Sequence, residues 1–159
     1  MGFGGFMDNL DKLDMAILRE LQKDGRVTVT ELASRVGLSK TPCQVRMKRL
    51  EELGYIMGYT ALIDQKKLGS KHVAFVQVTM LDTKTKALQA FNDAVRAIPE
   101  IEQCHMIAAN FDYLLKVRTS DIESYREVLG EKISNLPFVK QTSTFVVMED
   151  VKDVASKLI

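Results

Sequence analysis

Between Leu32 and Leu50 the chain carries Arg35, Lys40, Arg46, Lys48 and Arg49, and not one Asp or Glu. Over all 159 residues the balance is 22 cations to 21 anions, a net charge of +1, so this positive charge is a local excess. Such a cluster suits a polyanion. Lys and Arg neutralise phosphates, Arg or Lys donates to guanine O6 and N7, Gln bonds an adenine edge, and a small aliphatic group meets a thymine methyl. The plainer alternative is a solvated basic face on a helical bundle, and charge alone leaves both open.

The elements that must position these residues are legible in the spacing. Leu10, Leu13, Ile17 and Leu21 recur at helical intervals, predicting a helix from about Asp11 to Lys23 that Asp24 and Gly25 close. Thr28 to Glu31 has the form of a capping box and starts a second, short helix. Gly37 ends that helix, Leu38 lies in the turn, Ser39 offers a new N-cap, and Pro42 falls in the first turn of a third helix that runs to Leu53. Short helix, tight turn with Gly, longer helix is the helix-turn-helix pattern. On a wheel of about 100° per residue, Cys43, Met47 and Leu50 share the core side, while Thr41, Gln44, Val45, Lys48 and Arg49 face out. In a DNA complex Gln44 and Val45 would read bases with Thr41, Lys48 and Arg49. Ser39, Lys40 and the helix N-terminus would hold phosphates, and Arg35 is a further candidate DNA contact.

After the third helix the pattern changes. YIMGYTALI (55–63) reads as extended chain and DQKKLGSK (64–71) as a linker. HVAFVQVTM (72–80) is a strand, 83–98 a helix stopped by Pro99, and 101–109 and 113–119 are two strands joined at Asn110, Phe111 and Asp112. A capped helix follows from Ser120, with Ile122, Tyr125, Leu129, Ile133 and Leu136 on one side, and 139–149 is a fourth strand. The order βαββαβ is ferredoxin-like. The fold class is therefore α+β. An N-terminal extension (1–9) precedes a winged-helix-like helix-turn-helix domain (10–63), the linker (64–71), a ferredoxin-like domain (72–150) and a tail (151–159). Phe75, Gln77 and Thr79 alternate with Ala74, Val76 and Val78, and neither face is strongly polar. The second face is thus expected to be covered by another copy of the chain.

Several function classes are disfavoured. With 46% hydrophobic and 27% charged residues the chain is ordinary globular material. No apolar run approaches the roughly 18 residues that span a bilayer, so no membrane segment is expected and the cytoplasm is the expected location. Cys43 and Cys104 make neither a disulfide framework nor a zinc set, and reduced thiols are expected. His72 and His105 are the only histidines, and Cys104 and His105, neighbours on a strand, point to opposite faces. No metal-ligand spacing, phosphate loop or nucleophile elbow is present, and NFDYLLKV lacks the stacking aromatics of RNA-recognition motifs.

LQKDGR (21–26), RVGLSKTPC (35–43), GYTALI (58–63), FDYLLK (111–116) and VVMEDVK (146–152) resemble the Lrp/AsnC, or feast/famine, regulators, from about Leu10 to Lys152. The resemblance implies a transcription factor that binds double-stranded DNA. It implies no cofactor, but a small effector, commonly an amino acid, and homodimers assembled into tetramers or octamers. It places the effector near the turn between the second and third strands, at an interface between dimers. Here that turn reads Ala109, Asn110, Phe111, Asp112, where the family favours Gly-Asp-Phe-Asp, so Asp112 keeps an acceptor for an amino group while two positions depart. Met106, Ile122, Phe145, Val146 and Val147 match further positions around that pocket. Two alternatives share the scaffold: a tetrapyrrole decarboxylase using His and Arg, and a DNA-binding protein whose second domain serves assembly alone.

Overall fold

The computed structural model describes residues 10–152, so the predicted extension and most of the tail lie outside the described residues. The chain divides into two compact units, the first ending at Leu62 and the second starting at Ile63.

The first unit is built from three helices, α1 (Lys12–Lys23), α2 (Val29–Val36) and α3 (Lys40–Glu52). Its complete capping box is at the start of α1. The Asp11 carboxylate accepts from the amides of Leu13 and Asp14 at 2.8 and 2.9 Å, and Asp14 Oδ2 accepts the Asp11 amide at 3.1 Å. At α2 only half of the predicted box forms. Thr28 accepts from the Glu31 amide at 3.2 Å, but the Glu31 carboxylate turns along the helix to Arg35 at 2.6 Å. The i,i+4 ion pair wins over the backbone amide.

Gly37 ends α2 in the left-handed region at φ 73°, which lets the Leu38 amide reach Ala33 O at 2.8 Å. Ser39 is extended at the N-cap of α3, yet its hydroxyl makes no cap hydrogen bond, contrary to expectation. Pro42 occupies the third helical position, where the missing N–H is harmless. Ile17, Leu32, Ala33, Cys43 and Leu50 form the buried centre, one or two residues from each helix. Beyond Gly54 no strand forms among described residues 55–71. Instead the amides of Tyr55 and Ile56 donate to Leu50 O, and the Tyr59 hydroxyl donates to Glu51 at 3.0 Å.

In the second unit the residues expected as linker form a turn, with the Asp64 carboxylate accepting the Lys66 and Lys67 amides and Lys66 Nζ 2.9 Å from Asp150. The sheet follows: β1 (His72–Met80), α4 (Thr85–Arg96), β2 (Ile101–Met106), β3 (Tyr113–Thr119), α5 (Ile122–Glu127) and β4 (Val139–Val146). All pairings are antiparallel in the order β2-β3-β1-β4, which is the predicted ferredoxin-like arrangement. Ala74, Val76, Val78, Leu115 and Val117 pack with Phe91, Val95, Tyr125 and Ile133 of the helices.

The last helix departs from its predicted face. Its cap is Asp121, which accepts the Ser124 amide at 2.8 Å, rather than Ser120. It continues as a π-helical turn (Val128–Ile133), with the Ser134 amide bonding Leu129 O five residues back. The extra residue per turn lets the buried stripe run from Tyr125 and Val128 to Ile133 and Leu136, while Ile122, the first residue of α5, is 53% exposed.

Two outcomes follow from these caps and pairs. No atom lies within 4 Å of a Cβ built on Gly37, so Gly37→Ala is a purely conformational change, expected to cost about 1 to 2 kcal/mol in urea unfolding. Gly37→Asn is expected to cost less.

Five carboxyls are held below their ordinary range: Asp11 by the Asp14 amide and Arg46, Glu20 by Lys23, Glu100 by Lys132, Asp121 by the Ser124 amide, and Asp150 by Lys66. A depressed carboxyl stabilises the fold above its unfolded pKa and loses that contribution as pH falls through the folded value. Urea unfolding is expected to be level from about pH 7 to 5 and to weaken steadily below about 4.5. Maximal stability near pH 3 would contradict the ion pairs.

Candidate functional site

The cations of the opening segment are sorted by acids from elsewhere in the fold. Asp14 on α1 has a side chain only 1% exposed, and it is a charge that needs partners. Arg46 Nη1 donates to Asp14 Oδ1 at 2.7 Å and to Asp11 Oδ2 at 2.7 Å; Arg49 Nη1 donates to Asp14 Oδ2 at 3.1 Å. Arg46 sits between Cys43 and Leu50 in helical register, so its stem lies beside the core and its head meets the buried acid. Both Asp14 and Asp11 hold the Arg46 guanidinium above its ordinary range. Arg35 is tied to Glu31 and, at 3.4 Å, to Glu20, with Asp24 3.9 Å away. It braces α2 against α1, which is a structural task beside the DNA contact read from the sequence.

What remains outward on α3 is a coherent set. Thr41, Gln44, Val45 and Lys48 are exposed, Val45 at 63%, and Ser39 and Lys40 are exposed at the helix start. Among the described residues Lys40 has no ion-pair partner, and Lys48 reaches only Glu52, at 3.6 Å across two well-exposed side chains. Such an exposed pair contributes little and yields readily to a phosphate. Arg49 is intermediate, its side chain 41% exposed and its Nη1 bonded to Asp14. The predicted wheel holds for Thr41, Gln44, Val45 and Lys48. For Arg49 it misses the inward anchor, because the acid lies 35 residues away on another helix.

In the second unit the residues matched to an effector pocket do not converge. Met106 ends edge strand β2 opposite Tyr113, and Phe145 and Val146 end the other edge strand, β4. Two strands, β3 and β1, lie between them. Phe145 pairs with Phe75 on the open face at 53% exposure, while Val146 pairs with Ala74 on the helix face. The Val147 amide extends the ladder to Val73 O. Ala109 and Asn110 are exposed at the hairpin tip. Asp112 has structural partners: its Oδ2 accepts the Met80 amide at 2.7 Å and its own amide donates to Val78 O at 2.9 Å, so it locks the tip to the end of β1. A cleft of about 470 Å³ between α4 and β2 is lined by Asn92, Val95, Cys104, Met106 and Tyr113.

Histidine chemistry finds no constellation. His72 pairs with Thr119 across β1 and β3, and its Nδ1 lies 3.1 Å from the Thr119 hydroxyl; His105 pairs with Leu114, near the other end of β3. Cys104 opposes Leu115 on the helix face, so it and His105 point apart as expected, and burial pushes the Cys104 thiol up, away from a reactive thiolate. No described helix is long and apolar enough to cross a membrane.

Comparison with known proteins fits this geometry. Residues 10–57 match a winged helix-turn-helix DNA-binding domain, and residues 73–156 match the Lrp/AsnC ligand binding domain. The chain is 61% identical to a proline dehydrogenase transcriptional activator of Rhizobium radiobacter, over 92% of this chain and 94% of that protein. It is 48% identical to the leucine-responsive regulatory protein of Escherichia coli K12, over 91% of this chain and 88% of that one. A transcriptional regulator of Neisseria meningitidis, solved as its L-Met complex, superposes with a TM-score of 0.86 at 31% identity, covering 93% and 96% of the two chains. These relatives are regulators of transcription, not decarboxylases. The chain belongs to the Lrp/AsnC family and is a DNA-binding transcriptional regulator with a ligand-binding domain.

Proposed function

We propose that α3 is the recognition helix and that Thr41, Gln44, Val45, Lys48 and the outer edge of Arg49 read bases in the major groove. Ser39, Lys40 and the helix N-terminus hold phosphates, and Arg35 joins them only by loosening its acids. The observation that carries this reading is the exposure of Thr41, Gln44, Val45 and Lys48 on a helix whose opposite side is anchored by the fully buried Cys43 and Leu50. A dimer would place two such helices in successive major grooves, about 34 Å apart, on imperfectly palindromic sites.

The second unit binds a small effector, an amino acid, and assembles the chain into homodimers and then tetramers or octamers in the cytoplasm, on the nucleoid. Two facts support this. The open sheet face carries Phe75, Leu114 and Phe145, apolar groups suited to a second copy. Met106 on β2 also lies two strands away from Phe145 and Val146 on β4, an arrangement that suits a pocket completed where copies adjoin. The 61% identical relative makes the control region of a proline dehydrogenase gene the first target to test, and proline, leucine and methionine the first effectors.

On that control region, or upstream of its own gene, binding should weaken steeply with salt, and the Lys48, Arg49 double alanine should bind at least about tenfold more weakly, measured by fluorescence anisotropy. Equal affinity of wild type and double variant would sink the recognition-helix reading. A thermal-shift panel of amino acids should raise the midpoint with at least one ligand, since binding to the folded state alone stabilises it. A flat panel would favour assembly without an effector.

A further inference from the structure

We propose that the cleft of about 470 Å³ between α4 and β2 is a binding site for a small aliphatic monocarboxylate, with the Tyr113 hydroxyl as the donor that meets the carboxylate. The site goes beyond the amino-acid reading above and stands whether or not an amino acid binds elsewhere. Tyr113 carries the inference. The residue is only 1% exposed and lines the cleft, yet its hydroxyl has no hydrogen-bond partner among the described residues. Asn92 stands beside that hydroxyl without forming a hydrogen bond to it. A buried hydroxyl without a partner is costly, and folded chains keep few of them. Its position is fixed: Phe91 packs on the ring at 4.4 Å between centroids, and Tyr113 pairs with Met106 on one side and Val78 on the other.

Both walls follow from the periods of their elements. Cys104 and Met106 pair with Leu115 and Tyr113 and share their helix-facing side of the sheet, while Asn92, Val95 and Arg96 recur three and four residues apart on α4. Because β2 is an edge strand, nothing in the sheet lies beyond it to close that side. The lining favours an anion and disfavours an amine. Arg96 acts on Cys104 as a positive charge, opposing the upward push of burial, and its 2.7 Å pair with Asp93 joins two well-exposed side chains, so it yields readily. Glu102, the acid of the lining, is already bonded to Arg118 and lies 3.5 Å from Lys116, so an incoming ammonium would have to break an existing pair. A carboxylate on Tyr113 and Asn92, with its alkyl tail against Val95 and Ile101, uses these groups together.

The test is isothermal titration of the full chain with isocaproate, its neutral amide, and leucine, which is isocaproate with an added ammonium. Isocaproate is expected to bind at least about tenfold more tightly than the amide, and leucine is expected not to displace it. Tyr113→Phe keeps the ring and removes one oxygen, and it should weaken isocaproate by about tenfold or more, the worth of a hydrogen bond to a charged group. Without ligand, the same variant should unfold in urea at no lower a midpoint than wild type, because the hydroxyl it loses has no internal partner. Arg96→Gln changes an exposed side chain, so it supplies an arm that does not depend on the folding of Tyr113→Phe, and it should weaken isocaproate by about threefold while leaving the amide unchanged. Isocaproate bound equally by wild type and Tyr113→Phe, or no isocaproate binding at all, would overturn the site. A clear drop in the ligand-free midpoint of Tyr113→Phe would do the same, since the hydroxyl would then be satisfied from within. Displacement by leucine at equal concentration would overturn the ligand class. Failure of the amino-acid reading is distinct: the thermal-shift panel of amino acids would stay flat while isocaproate still bound.

Discussion

A carboxylate buried on the first helix governs the DNA-facing unit. Asp14 cannot lie unpaired in a low-dielectric site, and the donors that satisfy it come from the third helix, Arg46 and Arg49. The pairing therefore does more than neutralise a charge. It ties α1 to α3 at a fixed point, beside the apolar contact of Ile17, Cys43 and Leu50, and so sets which residues of α3 look outward. It also divides the cations by task. Arg46 is bound to Asp11 and Asp14, Arg35 is bound to the acids of α1 and α2, and Thr41, Gln44, Val45 and Lys48 remain exposed on the outer face. An acid-free run in sequence becomes an ion-paired joint in space, with an exposed face left over.

The second unit follows a related rule, with backbone in place of charge. The Asp112 carboxylate takes the Met80 amide at the end of β1 and fixes the β2–β3 tip against the sheet, leaving Ala109 and Asn110 presented at its surface. The sheet order then separates Met106 from Phe145 and Val146 by two strands. A ligand that touched both sets would depend on how copies of the chain are arranged, and would so link effector to assembly.

Local signals carried most of the architecture. Gly37, Pro42, the alternation of β1 and the polar hairpin tip each act within a few residues, and the helix-turn-helix, the strand order and the wheel of α3 were legible from them. What escaped sequence reading was set by partners far along the chain or by a change of helical period. The Asp14 joint spans 32 to 35 residues, so Arg49 read as wholly outward. The π-turn after Glu127 moved the buried stripe beyond it, and Ile122, at the first position of α5, stays at the surface. At Glu31 two acceptable hydrogen bonds competed and the arginine four residues on won. Asp11 and Asp14 had the spacing of a capping box in plain view, and that box was the available clue to the acid that organises α3.

The central claim, that the outer face of α3 meets DNA, is tested most directly by crosslinking from single positions of the full chain. A photoreactive residue at Val45 should crosslink operator DNA efficiently, and the same group at Leu114 on the sheet should not. Crosslinking from Leu114 with none from Val45 would contradict the account.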